Sequence, residues 1–365
     1  MKILLIGNAN GLGGAQTAFR KLVDFLLNEA GVEVGVISIA DQADWPAHWE
    51  RITLRCWLPC NTGSVAKTIG KQSRLLVTAM AARRFNPDFF VTVGLARSAN
   101  LIARFLPRRT VKVAQDFIHG RPATDPLLCA SAAAFDLIAV QAPAMAVVLG
   151  QTGFNQRSVT WLPCFPEPPV AGVWHESRPQ PSSLRFAYFG RLAGNKGLDM
   201  LVAAFKRAKF PVPVALDIWG SGPEEAQVRA IISSSSLGER VRLCGRYPDG
   251  VPAAQLMVGY DALLLTSTGS EGLPLILLEA MAYGLPFLAT DVGAIRDCCL
   301  DNPDVLMVQP NEEAVTQGLS ELARRIERGE IQPARLRDYY QKYFSPAVMA
   351  DRWRAFFKKP DAFFK

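Results

Sequence analysis

The sequence predicts an α/β protein made of two Rossmann-like parallel-sheet domains that face each other across a cleft. Three observations carry this. Short apolar, β-branched runs alternate with helical stretches along the whole chain, the pattern of parallel sheets covered on both faces. Each half opens with such a run followed by a glycine-bearing loop. Between the halves, residues 163–181 hold six prolines in nineteen positions and few periodic apolar residues, the composition of a connector. A chain of 365 residues with 49% hydrophobic and 20% charged residues is long enough and apolar enough for two cores.

In order, strands are expected near 3–6, 34–39, 89–93, 111–114 and 137–140. In the second half they fall near 186–189, 215–219, 241–244, 262–265 and 286–289. Helices are expected from Ala15, along the cationic stretch around Lys67, Lys71 and Arg74, from near Pro274, and after Ser345-Pro346. The uncharged run 137–156 is about as long as a membrane span. It contains Pro143, Gly150 and Gly153 among several amides, so strand, turn and helix suit it better. The domains are therefore expected at 1–165 and 184–345, joined by a linker over 166–183, with a last helix over about 346–365 returning to the first domain.

Met1-Lys2 leads straight into the first strand with no signal-peptide pattern, and the expected compartment is the cytoplasm. Seven cysteines in no Cys-x-x-Cys pair read as reduced thiols. Three histidines, at 48, 119 and 175, cannot build a His-rich metal site, and no Asp-x-Asp occurs, so no metal and no cofactor is expected. The net charge of +7 is uneven: residues 1–170 hold 17 Lys/Arg against 11 Asp/Glu, the remainder 23 against 22. A basic first half suits an anionic partner such as a lipid headgroup or a phosphorylated acceptor. No nucleic-acid motif accompanies the charge, and a nucleic-acid partner is not expected.

Three loops could carry chemistry. The first, Gly7-Asn8-Ala9-Asn10-Gly11-Leu12-Gly13-Gly14, runs into a helix, but it lacks the Gly-x-Gly-x-x-Gly spacing of a dinucleotide fingerprint. A plain tight turn explains it as well as a ligand contact does. The second, Gly190-Arg191-Leu192-Ala193-Gly194-Asn195-Lys196-Gly197, places two cations five residues apart. A planar guanidinium and an ammonium suit a diphosphate, with two solvated surface cations as the alternative. In the third, Ser270-Glu271-Gly272-Leu273-Pro274-Leu275-Ile276-Leu277-Leu278-Glu279, two carboxylates stand eight residues apart. The amides of Gly272, Leu273 and Leu275 lie at the positive end of the following helix, with Pro274 in its first turn. Glu279 lies inside an apolar helix, where a charge needs a partner. A ligand hydroxyl pair, a buried arginine or a neighbouring loop could supply one.

With Glu271 and Glu279 in this frame, the sequence resembles the GT-B retaining glycosyltransferases of family 4, the glycosyl transferases group 1. Gly190-Arg191, Lys196-Gly197-Leu198-Asp199, Trp219-Gly220-Ser221-Gly222-Pro223, Tyr260-Asp261 and Asp291-Val292-Gly293-Ala294 follow in the family's order. Over the first half the resemblance rests on Gly13-Gly14-Ala15-Gln16 and His119-Gly120. It implies a UDP- or GDP-sugar donor, a glycan or lipid-linked acceptor and transfer without a metal. Surface polysaccharide or lipopolysaccharide assembly in a bacterium is the expected setting. It further implies that Arg191 and Lys196 bind the diphosphate, Glu279 the ribose hydroxyls and Glu271 the transferred sugar. Gly272, Leu273, Pro274 and Leu275 would lie against sugar and phosphate, and Gly13 and Gly14 would approach the donor. Gly190, Gly220 and Gly245 are counted with the donor-binding positions. His119 would face the sugar; a helix cap or core histidine is its other reading.

Two departures bear on the acceptor side: Val91-Thr92-Val93-Gly94 stands where the family often has a histidine, and Pro163-Cys164-Phe165-Pro166 replaces its usual linker turn. Peripheral contact with an anionic membrane, at the cytoplasmic face of the inner membrane, is a further expectation. It rests on Lys67, Lys71, Arg74 and Arg83-Arg84, and on the aromatic and cationic tail from Arg352 to Lys365. The alternatives to transfer are an epimerase or isomerase of nucleotide sugars, a binding protein with a degenerate donor site, and a nicotinamide dehydrogenase, which the broken fingerprint disfavours.

Overall fold

A computed structural model of the chain describes all residues except 11–13, 40–44, 60–64, 118–121, 123, 152–158, 177–179, 249, 270, 300 and 364–365, and all but the side chains of 65–71, 151 and 299. The described chain forms two compact units, Met1–Pro166 with Met349–Lys365, and Glu167–Val348.

The first unit is built on a seven-stranded, wholly parallel sheet: β1 (Lys2–Gly7), β2 (Glu33–Ile39), β3 (Leu54–Leu58), β4 (Phe89–Val93), β5 (Val111–Asp116), β6 (Leu137–Val140) and β7 (Val159–Trp161), in the order β3-β2-β1-β4-β5-β6-β7. Ile3, Leu4, Leu5 and Ile6 are all fully buried, because helices cover both faces of such a sheet and leave no side of the central strand wet. β3 and β7 were not anticipated. They lie at the two edges, where Leu58 is the one buried residue of β3 and β7 is only half-buried, so neither shows the apolar run that marks a central strand.

The second unit repeats the plan with six parallel strands: β8 (Leu184–Phe189), β9 (Val214–Trp219), β10 (Val241–Gly245), β11 (Ala262–Leu265), β12 (Phe287–Thr290) and β13 (Leu306–Val308), in the order β10-β9-β8-β11-β12-β13. β13, three residues at an edge, was also unanticipated. In both sheets the chain winds outward from a central strand and then returns to its other side, between β1 and β4 and between β8 and β11. At such a reversal the loops leaving the carboxyl ends of adjacent strands diverge, which makes the ligand crevice of an open α/β sheet.

The stretch expected as a linker over 166–183 belongs with the second unit from Glu167 onward. The His175 N–H donates to the Tyr283 carbonyl at 2.7 Å, and the Val170 N–H to the Tyr283 hydroxyl at 3.3 Å. The last helix, Pro346–Lys358, joins the first unit from Met349. Trp353 and Phe356 are fully buried, Trp353 Nε1 donates to the Pro163 carbonyl at 2.9 Å, and Phe356 and Phe357 meet Phe89 at ring separations of 5.7 and 4.9 Å. These tail aromatics are therefore core. Truncating either fully buried ring costs about 3–5 kcal/mol.

The five described cysteines outside the masked positions form no disulfide; Cys164 and Cys298 are buried, whereas Cys129 is exposed. Among the described residues no helix is long and apolar enough to cross a membrane.

Candidate active site

The charged residues singled out in the second half meet at the reversal between β8 and β11. β8 ends in Phe189 and hands over to Gly190-Arg191, a short 3-10 turn at Gly194–Lys196, and the helix Leu198–Arg207. β11 hands over to the loop 266–274 and the helix Leu275–Tyr283. The two loops are fastened to each other: the Thr268 N–H donates to the Asn195 carbonyl at 2.9 Å, and the Thr266 hydroxyl lies 3.3 Å from the carbonyls of both Lys196 and Gly197. Gly197 has φ of +60°, and a Cβ there would stand 2.2 Å from the Thr266 carbonyl oxygen. Only glycine tolerates both conditions.

This fastening puts Lys196 beside Glu271. Lys196 Nζ and Glu271 Oε1 form an ion pair, with 19% and 11% of the two side chains exposed. The fully buried Ser267 donates its hydroxyl to the same Oε1 at 2.5 Å. From behind, the Ala294 N–H donates to the Glu271 carbonyl at 3.1 Å. Gly293, at φ of +62°, lies so close that a Cβ would come within 2.1 Å of that carbonyl oxygen. The loop Asp291-Val292-Gly293-Ala294 thus acts as a support for the Glu271 backbone, and the Thr290 hydroxyl, donating to the Ser267 carbonyl at 2.6 Å, supports the residue that holds its carboxylate.

Glu279 lies one helix further in. The expected helix begins at Leu275, one residue later than a first-turn proline requires, and Pro274 is its N-cap residue with no side-chain cap bond. Of its nine residues, only Leu275, Ile276 and Glu279 are half-buried, and the other six are buried. Residues three and four apart share a helix face, so Glu279 lies mid-helix on the one face that is not buried, with Leu275 and Ile276. Its charge is felt within the unit: after burial, the Glu279 carboxylate is the next cause that pushes the Tyr340 hydroxyl above its ordinary range.

Arg191 is exposed at the mouth of the same loop and has no side-chain partner among the described residues. Its carbonyl accepts the Tyr188 hydroxyl at 2.9 Å. Burial first, and then the charge of Glu271, drive that tyrosine's pKa far upward, so it stays a neutral donor. Gly190, Gly220 and Gly245 line up on neighbouring strand ends: the Gly190 N–H donates to Trp219 at 3.1 Å, and the Gly220 N–H to Gly245 at 2.7 Å. Gly272, Leu273 and Pro274 connect Glu271 to the helix, Leu273 being buried. Gly14 is the exposed first residue of the helix Gly14–Asn28 in the first unit. Gly13 and His119 lie outside the described residues, as does Ser270.

Tyr260-Asp261 does structural work. Asp261 Oδ2 accepts the Arg185 N–H at 2.7 Å, and the Tyr260 hydroxyl donates to Asp217 at 2.8 Å. Asp217, 2% exposed, also accepts from Arg185 at 3.0 Å and from Arg242 at 2.8 and 2.9 Å. Ser267, Thr266, Asn195 and Tyr188 carry no sequence signal of these contacts. Ser267 stands between two threonines at a strand exit, and nothing in its neighbours marks it as the partner of a carboxylate four residues on. Among the described residues no cluster of three or more His, Cys, Asp or Glu side chains could hold a metal ion.

The chain is similar to known proteins in part of its sequence and in its fold. Residues 183–325 match the family described as glycosyl transferases group 1. The GtfA subunit of a UDP-N-acetylglucosamine–peptide N-acetylglucosaminyltransferase from Streptococcus gordonii is 40% identical over 103 residues, which are 28% of this chain and 19% of that protein. The chain thus matches about a fifth of that relative's own length. Among solved structures, the lipopolysaccharide outer core galactosyltransferase WaaB aligns with a TM-score of 0.72 at 20% identity, over 98% of this chain and 100% of that one. HepE of Anabaena in complex with UDP-glucose aligns with a TM-score of 0.74 at 16% identity, again over 98% and 100%. These structural likenesses establish the fold, an α/β GT-B architecture of two Rossmann-like units.

Proposed function

We propose that this chain is a retaining glycosyltransferase that moves a sugar from UDP or GDP to a glycan or lipid-linked acceptor without requiring a metal. The observation that carries the reading is the convergence of Lys196, Ser267 and Glu271 at the reversal between β8 and β11, with Glu279 on the open face of the next helix. A nucleoside diphosphate sugar asks for that set: a cation for the diphosphate, a carboxylate for ribose hydroxyls, and a second carboxylate for the sugar. The UDP-N-acetylglucosamine in the name of one similar protein, and the UDP-glucose held by one structural neighbour, are consistent with it.

In this proposal Arg191 and Lys196 neutralise the departing diphosphate, the charge that builds up as the glycosidic bond breaks. The helix beginning at Leu275 adds its positive end. Glu279 accepts from the ribose hydroxyls. Glu271 accepts from hydroxyls of the transferred sugar, and Ser267 keeps its carboxylate aimed when Lys196 turns to the diphosphate. No carboxylate is assigned as a glycosyl nucleophile. Gly190, Gly220 and Gly245 border the donor. Gly13, Gly14 and His119 are kept as the first unit's contribution, and assembly of a bacterial surface glycan at the cytoplasmic face of the membrane is the proposed setting.

The test is donor turnover in EDTA, with UDP-glucose, UDP-galactose, UDP-N-acetylglucosamine and GDP-mannose followed by proton NMR and water serving as a slow acceptor. Release of UDP or GDP with the α-anomer of the sugar appearing first supports the proposal. A new nucleotide sugar with no diphosphate released would make the chain an epimerase, and no turnover of any donor would favour a binding protein.

A further inference from the structure

The described part of helix Val65–Phe85 is amphipathic in an unusual sense. Its inner side, Thr78, Ala79, Ala82 and Phe85, is buried against the first unit. Its outer side carries Leu76, Val77 and Met80, followed one turn later by Arg83 and Arg84. The neighbouring helix Arg97–Phe105 repeats the arrangement, with Leu101 and Phe105 four residues apart on the outside and Arg97, Arg104, Arg108 and Arg109 around them. The five apolar side chains are between 44% and 66% exposed. The two helices are tied at one end by Arg83, whose guanidinium donates to the Phe105 carbonyl at 2.8 Å. Both belong to crossovers running in the same direction across the sheet, β3 to β4 and β4 to β5, so right-handed connections place them on one side of it.

Outer helix faces in water are ordinarily polar, and adjoining exposed apolar side chains mark a surface that another phase covers. The charge identifies which phase. Between residues 51 and 115 the only carboxylate is Asp88, and its Oδ2 is occupied by the Lys2 N–H at 2.8 Å. Arg84, Arg104, Arg108 and Arg109 have no ion-pair partner among the described residues. Apolar side chains interleaved with arginines alone suit an interface that is oily within and negative at its rim. Arginine stems can lie along the apolar layer while their heads stay at the level of the phosphates.

We propose that the paired outer faces of these two helices dock on an anionic lipid bilayer. The surface differs from the one expected in the sequence: Trp353, Phe356 and Phe357 of the tail are buried, the side chains of Lys67 and Lys71 lie outside the described residues, and Leu76, Val77, Met80, Leu101 and Phe105 supply the apolar contact. The proposal narrows the acceptor to one held at a membrane, and in that respect alone it rests on the function proposed above.

The test is co-sedimentation of the full chain with vesicles of phosphatidylcholine alone, and of phosphatidylcholine and phosphatidylglycerol in equal parts, with no donor present. The expected result is binding to the mixed vesicles that weakens with added salt, and little binding to the neutral ones. Leu101→Ser with Phe105→Ser should lower partitioning about tenfold or more, and Met80→Gln on the other helix should act in the same direction. Arg84→Gln, Arg104→Gln and Arg108→Gln should each weaken it about fivefold; Arg83 is left in place because it ties the helices. Unchanged melting temperatures show that the variants are folded. Wild-type protein that ignores mixed vesicles, or variants that bind them as wild type does, would overturn the proposal. So would a wild-type dimer in light scattering that Leu101→Ser with Phe105→Ser abolishes, which gives the face to a second copy of the chain. A protein stabilised by UDP or GDP that fails on vesicles loses the docking face and keeps the donor site.

Discussion

The reversal between β1 and β4 in the first unit and that between β8 and β11 in the second are made by the same winding of strands, yet their described loops differ in chemistry. At the first, residues 7–10 and 94–96 contain no charged side chain. Asn8 Oδ1 accepts the Asn10 N–H at 2.9 Å, and the Thr92 hydroxyl donates to the Gly94 carbonyl at 2.6 Å, so their polar groups serve the turns themselves. At the second, Arg191, Lys196 and Glu271 occupy the loops and Glu279 the helix behind them. The first unit instead exposes Arg83, Arg84, Arg97 and Arg104 on the outer faces of two helices. A crevice supplied by topology is thus only a location, and the side chains placed there decide what it can bind.

The comparison predicts unequal responses to substitution. The largest is expected at Glu271: Glu271→Ala should lower turnover at least about 100-fold, the scale of losing a group that contacts the reacting sugar. It also strands Lys196, so a stability loss of about 1–3 kcal/mol should accompany it. Glu271→Gln, which keeps an acceptor for Ser267, should recover more of the melting temperature than of the turnover, and equal recovery of both would reduce Glu271 to a structural role. Gly293→Ala comes next. A φ of +62° and a Cβ overlapping the Glu271 carbonyl should displace that residue and cost more than about 2 kcal/mol; full turnover in this variant would contradict the support assigned to the loop.

Glu279→Gln should weaken UDP or GDP binding by about 1.5–3 kcal/mol, measured by calorimetry. Asn8→Ala, at the corresponding place in the first unit, should change the same affinity less than about twofold. A larger effect there would erase the distinction between the two crevices.

The pH response isolates the second unit's frame from its site. Burial alone would raise the Asp217 carboxyl, and hydrogen bonds from Arg242, Tyr260 and Arg185 more than offset it, holding the group below its ordinary value of 3.8. A depressed folded pKa gives stability that is present above the unfolded value and lost as the pH falls through the folded one. Melting temperatures followed from about pH 5 to about pH 2 should therefore fall more steeply for wild type than for Asp217→Asn. Parallel curves would show that the arginine pair does not favour the ionised form.

Much of this is legible in the sequence, and for a physical reason. The central strands are buried on both faces and read as apolar runs; β3, β7 and β13 are edge strands, half-wet or three residues long, and their sequences carry no such run. Lys196 and Glu271 could be named from the motifs they occupy, yet their ion pair joins positions 75 residues apart in the chain and only the fold brings them together. Ser267 was invisible because a hydroxyl acquires its role from geometry. The tail aromatics misled for the same reason: Trp353, Phe356 and Phe357 look identical in sequence whether they meet lipid or Phe89 and the Pro163 carbonyl.

The most direct test of the proposed donor site is thermal unfolding of wild type and Glu279→Gln with UDP, GDP, ADP and NAD in turn, all in EDTA. A nucleotide at about 100 times its Kd adds about 2.7 kcal/mol of stability. UDP or GDP should raise the wild-type melting temperature, and the same concentration should raise that of Glu279→Gln far less. Stabilisation by NAD alone, or an equal shift in both proteins, would contradict the site described at β8 and β11.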